Sequence, residues 1–146
     1  MPYLNQLDDH FDKASSQHKA LTTVFEDFAN FVKDCLQATS TTNQNIIVTP
    51  NLSQGLFTTS FAGRTVSFVF TSSLEDVANG CMVGTVTCYI KKDFPKPKQI
   101  EFGSFTFNEE GRTNIKKTDS DETICISNDL STLHMALHFI YESLSK

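Results

Sequence analysis

The chain has 146 residues, a formal net charge of −5, thirteen Phe and no Trp. That length fits one domain able to bury ~70% of its unfolded surface, so folding needs no metal or disulfide staple. At 39% hydrophobic and 20% charged it is neither disordered nor fibrous, and its acidity argues against non-specific nucleic-acid binding, which needs clustered Lys and Arg. No run of ~18 apolar residues suggests a membrane-spanning helix. Residues Met1 to Asp9 lack a basic region followed by an apolar one, so a cytoplasmic location is expected.

The predicted organisation is one α+β domain over 1–146, helical over 3–37, with strands within 46–127 and a helix over 129–145. In the first segment Leu4, Leu7, Phe11, Ala14, His18, Leu21, Phe25, Phe28, Val32 and Cys35 alternate in spacings of three and four, a sustained heptad seam. Val24, Phe31 and Leu36 widen the stripe in the second half only, as a core-facing helix requires. A continuous helix of this length is longer than a compact domain is wide. Either it breaks near Ser15-Ser16-Gln17, or its first half projects and packs on another chain. His18 inside the seam reads as a satisfied core or interface residue.

The polar stretch Ala38 to Asn45 reads as a linker. Ile46 to Thr49 is a short strand ending at Pro50, with a loop over Asn51 to Gly55. Residues 56–61 and 64–71 form the clearest hairpin, turning at Ala62-Gly63 and setting Phe57 opposite Phe68, Thr59 opposite Val66 and Phe61 opposite Arg64. Ser72 and Glu75 have capping-box spacing, which predicts a short helical turn ending at Gly80.

Residues 81–92 are a long strand with Met82, Val86, Cys88 and Ile90 on one face. Lys91 to Lys98 is a loop, since Pro95 and Pro97 cannot occupy a central strand. In 99–107 the alternation changes phase between Phe102 and Phe105, and a bulge at Gly103-Ser104 would reset it. Asn108 to Gly111 is a hairpin loop, and Arg112 to Lys117 a polar return strand blunted as an edge by lysines. An acidic loop over 118–122 precedes a last strand, 123–127, with Ile124 and Ile126 inward. The final helix is capped by Asn128 or Asp129. Its predicted core stripe is Leu130, Leu133, Leu137, Ile140 and Leu144, which leaves Met135 and Phe139 on the opposite face as a second contact surface.

Little of this carries catalytic chemistry. Cys35, Cys81, Cys88 and Cys125 contain no Cys-x-x-Cys pair and read as four buried thiols, without zinc or a disulfide framework. His134 and His138 are four apart beside Tyr141, a low-priority polar site. Between them stand Met135, Ala136 and Leu137, so the Glu of a metalloprotease motif is missing. Asp119 to Glu122 lacks the Gly and distal Glu of a calcium loop. No phosphate-binding glycine loop occurs. The expectation is therefore a protein that is not an enzyme and holds no cofactor or metal.

The least ordinary feature is a window of low charge. Between Asp34 and Glu75 lie forty residues with one charged side chain, Arg64. Long uncharged strands left bare invite aggregation, so helices or a partner should cover them. Phe94, Lys92 and Lys96 in the basic loop join Met135 and Phe139 as the candidate partner surface. Size, acidity and helix–strands–helix order resemble bacterial secretion chaperones and toxin-neutralising immunity proteins, in architecture alone and with no shared motif. The functional expectation is a small cytosolic protein-binding module (chaperone, adaptor or inhibitor) that homodimerises through its helices and binds neither nucleic acid nor membrane. The alternative is a small-molecule-binding protein or enzyme with a Phe-lined pocket using His134, His138 or a Cys.

Overall fold

The computed structural model describes residues 2–38, 46–76, 80–116, 122–126 and 130–146. The linker beyond Ala38, the acidic loop up to Asp121 and the cap at Asn128 or Asp129 lie outside the described residues.

Helix α1 spans Pro2–Ala38 without a break at Ser15-Ser16-Gln17. Beyond Pro2, which suits a first turn, it contains neither Gly nor Pro, and the seam keeps its register throughout. Thr22 and Thr23 donate their hydroxyls back to the carbonyls of His18 and Lys19 at 2.8 and 3.1 Å, so both fit the helix interior. At ~1.5 Å per residue its 37 residues extend about 55 Å.

Seven strands follow: β1 (Ile47–Asn51), β2 (Leu56–Phe61), β3 (Arg64–Asp76), β4 (Cys81–Lys92), β5 (Lys98–Phe107), β6 (Arg112–Lys116) and β7 (Thr123–Cys125). They form one antiparallel sheet in sequence order, and helix α2 (Leu130–Ser143) closes the fold. The hairpin β2–β3 has the expected register, with Phe57 facing Phe68, Thr59 facing Val66 and Phe61 facing Arg64. Its turn residues Ala62 (φ 52°) and Gly63 (φ 76°) both take positive φ, as a two-residue turn matched to strand twist demands. A register shift opposite Cys88 and Tyr89 brings Phe102, Phe105 and Phe107 onto the same side, resolving the phase change in β5.

Several local expectations are overturned. Strand β1 runs through Pro50 to Asn51; as an edge strand it needs no ladder donor there. The helical turn at Ser72 does not form. Strand β3 continues to Asp76 because β4 is long enough to pair with it, setting Ser72 against Gly84 and Leu74 against Met82. That tertiary pairing outweighs a local capping signal. Strand β6 is not an edge, because β7 lies beyond it. Cys81 is exposed, and Cys35 and Cys125 are only half-buried, leaving Cys88 as the one fully buried thiol.

One face of the sheet carries the core. Phe57, Val66, Phe68, Phe70, Val86, Cys88, Phe105 and Phe107 are buried there beneath Leu21, Phe25, Phe28, Ala29 and Val32 of α1. Phe28 meets Phe57 edge-on at 5.4 Å and Phe105 at 5.8 Å, while Phe57 and Phe68 stack at 4.7 Å. Opposed aromatic rings of this kind stabilise beyond their buried area. Gly84 belongs to the same face: the Phe107 ring lies so close over it that a Cβ would stand 2.4 Å from Phe107 Cζ.

Helix α2 packs on this face too, but rotated from the predicted stripe. Thr132, Met135, Ala136, Phe139, Ile140 and Ser143 are buried, Leu133 and Leu137 are half-buried, and Leu144 is exposed. The helix is apolar on most of its circumference, so hydrophobicity alone leaves its rotation open. Specific partners fix it. Phe139 packs against Phe68, Phe102 and Phe105 at 6.0–6.5 Å, and Thr132 donates to the Cys125 carbonyl at 3.0 Å.

With both helices on one side, the other face of the sheet is a hydroxyl-rich lattice. Thr49, Thr58 and Ser67 align across it, as do Leu56, Val69, Thr87 and Ser104, and Thr71, Thr85 and Thr106. The row through Thr58 and Ser67 continues across Tyr89 to Glu101, which sets a carboxylate on this face. No helix among the described residues is long and apolar enough to cross a membrane.

Candidate functional site

Where α2 crosses the end of the sheet, it does not close fully onto β6 and β7. A cavity of about 370 Å³ remains, lined by Ile115, Lys116, Ile124, Ser131, His134, Met135, His138 and Phe139. The local geometry follows from two periodicities. Residues 135 and 139 are one helical turn apart and point into the core, while 134 and 138 stand one step around the helix, at the cavity mouth. On the opposite wall Ile115 and Ile124 come from paired strands, held together by Thr113, whose hydroxyl donates to the Ile124 carbonyl at 2.8 Å. Phe139 reaches its place because it lies over Gly103, where a Cβ would approach Phe139 Cε1 to 2.8 Å.

The floor is thus apolar, and Lys116, His134 and His138 stand around it. Among the described residues, none that lines the cavity is acidic. Glu142 Oε2 lies 3.8 Å from His138 Nε2, between side chains 36% and 73% exposed. An exposed pair of that kind is heavily screened by solvent. Among the described residues no group of three or more His, Cys, Asp or Glu is placed to hold a metal ion.

The structure divides the predicted site residues. His134 and His138 share the cavity. Met135 and Phe139, expected to form an outer contact surface, are buried, at 6% and 7% exposure, and serve as its floor. Tyr141 is 75% exposed and lines a separate apolar groove of about 210 Å³ with Ile46, Phe61, Leu137 and Ile140. Phe94 is 87% exposed at the turn between β4 and β5, beside exposed Lys96. Lys92 is half-buried and donates to the Lys146 carbonyl at 2.7 Å. The sequence missed Lys116 and Ser131. Lys116 was grouped with an edge strand, and nothing in its spacing ties it to a helix after β7.

The remaining polar features have structural roles. His18 Nδ1 lies 2.6 Å from Ser72 Oγ, and its ring stacks on Phe70 at 5.8 Å. Gln17 Oε1 accepts from the Met82 amide at 2.6 Å. Together these contacts pin α1 to the far ends of β3 and β4. Cys88 is a poor nucleophile: burial, with a smaller contribution from Glu142, pushes its thiol far above the ordinary range. Burial and then Asp34 also raise the Cys35 thiol.

No protein-family model, curated protein or solved structure matches the chain.

Proposed function

We propose that the protein is a non-enzymatic protein-binding module of the chaperone, adaptor or inhibitor kind, and that its helices also mediate self-association. The carrying observation is the exposed stretch of α1 at residues 8–13. From Leu21 to Val32 the seam is buried on the sheet. At residues 8–13 every described side chain is exposed, including Phe11 at 72%. The same stripe that makes the core therefore continues to Phe11, which stands largely exposed among the described residues. Burying one such Phe is worth ~1.5–3 kcal/mol, a gain that a second helix laid along the seam would realise.

A hydroxyl-rich patch on the outer face of the sheet supports the same reading. Interface centres are depleted of charge relative to ordinary surface, and here ten aligned positions carry none, with Glu101 two strands beyond Ser67.

Light scattering on the full chain tests self-association. The expected result is twice the monomer mass of 16.3 kDa, reverting to 16.3 kDa in Phe11→Asp with an unchanged unfolding profile. A wild-type mass of 16.3 kDa removes self-association. Failure to recover any stoichiometric partner in pull-downs from native lysate would then count against the binding module itself.

A further inference from the structure

The cavity between α2 and β6–β7 is independent of the helix surface, and its chemistry specifies a ligand. We infer that it binds a small anionic amphiphile, a free carboxylic acid with a short apolar tail. Three observations converge on that class.

The first is the division of the lining. Ile115, Ile124, Met135 and Phe139 make an apolar floor, while Lys116, His134, His138 and Ser131 supply polar groups. An apolar pocket with a few convergent polar groups is the usual form of a small-molecule site. The second is the sign of the charge. On a chain of net charge −5, the lining among the described residues has no acidic side chain and gathers one lysine and two of the four histidines. A carboxylate head fits that setting, whereas an ammonium head would meet Lys116 directly. The third is size. About 370 Å³ lies at the small end of the ~300–1,000 Å³ typical of ligand pockets, which excludes long-chain or two-tailed lipids from full burial.

In this arrangement the tail lies between Phe139 and the two isoleucines. The head accepts hydrogen bonds from the Lys116 ammonium and from an imidazole N–H of His134 or His138. No bond is made or broken.

Isothermal calorimetry of the full chain at low salt provides the test, with decanoate as probe and decyltrimethylammonium as the same-tail cation. The expected result is saturable binding of one decanoate per chain, weakened by added salt and absent for the cation. Lys116→Ala should lower the affinity about tenfold, as loss of a charged hydrogen bond does, and His134→Ala with His138→Ala should lower it further. All three positions are exposed, so these variants should fold. Tyr141→Ala, outside the cavity, should bind like the wild type. Equal affinity for the cation, full affinity in Lys116→Ala, or no decanoate binding overturns the proposal. Binding to anionic phospholipid vesicles without binding to free decanoate overturns it too, because the source would then be a membrane headgroup.

Discussion

Replacing Gly84 by alanine adds one methyl group and should cost more than most deletions of that size. The new Cβ would stand 2.4, 2.7 and 2.8 Å from three ring carbons of Phe107. The ring has little room to retreat, being 1% exposed and packed against Phe70 at a centroid distance of 5.8 Å. Gly84 faces Phe107 directly across β4 and β5 and Ser72 across β3, so the backbone is held from both sides. Overpacking of a closed core costs ~1–3 kcal/mol, and this contact belongs at the upper end. Against that, alanine recovers roughly 0.5–1 kcal/mol of backbone entropy over glycine. The net expectation is a loss of about 2 kcal/mol, which in a chain of this size lowers Tm by roughly 4–8 °C. Urea unfolding gives the free energy and a thermal melt the shift. The steric account also requires coupling: Gly84→Ala should cost less in a Phe107→Leu background than alone. A Gly84→Ala protein as stable as the wild type, or strictly additive behaviour in the double variant, would refute the reasoning.

Other substitutions test other parts of the core. The Thr59 hydroxyl is buried without a hydrogen-bond partner, so Thr59→Val should raise stability by about 1 kcal/mol in urea unfolding. Replacing His18 by alanine removes both the Ser72 contact and the stack on Phe70, with an expected loss of about 1 kcal/mol and no change in far-UV circular dichroism. Thiol labelling under native conditions should modify exposed Cys81 first and buried Cys88 only on unfolding, as peptide mapping would show. The raised Cys88 thiol also fixes a pH dependence. The folded state keeps a proton that the unfolded chain releases above ~8.5, so this contribution is intact below that pH and is lost progressively as pH rises. Melts taken at increasing alkaline pH should fall less steeply in Cys88→Ala.

The sheet was legible because its signals are local. Thr- and Phe-rich alternation around Ala62-Gly63 carried the register of β2 and β3, and the phase slip between Phe102 and Phe105 marked the bulge. Helix α1 was legible for the same reason, since an unbroken heptad register needs no knowledge of its partner. What failed depends on distant residues. Ser72 and Glu75 look like a cap until β4 offers a longer ladder. The rotation of α2 is chosen by rings on β3 and β5, which its own sequence does not contain. The cavity was half legible: His134 and His138 stood out, but Lys116 reaches them only because β6 and β7 turn under the helix. The expected outer face of Met135 and Phe139 proved to be the underside of that helix.

The strict sequence order of the seven strands has a consequence for how the molecule assembles. Each strand pairs only with its neighbours in the chain, so every sheet contact closes a short loop and the sheet can zip one hairpin at a time. The helices are different. Phe25 and Phe28 must find Phe57, Phe70 and Phe105 across roughly 30 to 80 residues of chain. Docking of α1 is therefore the step with the largest entropic cost, and it needs the phenylalanine face to exist beforehand. Until it occurs, that face is open to any other chain in the same condition. A folding sequence of hairpins first and clamp last would give a refolding yield that depends strongly on protein concentration.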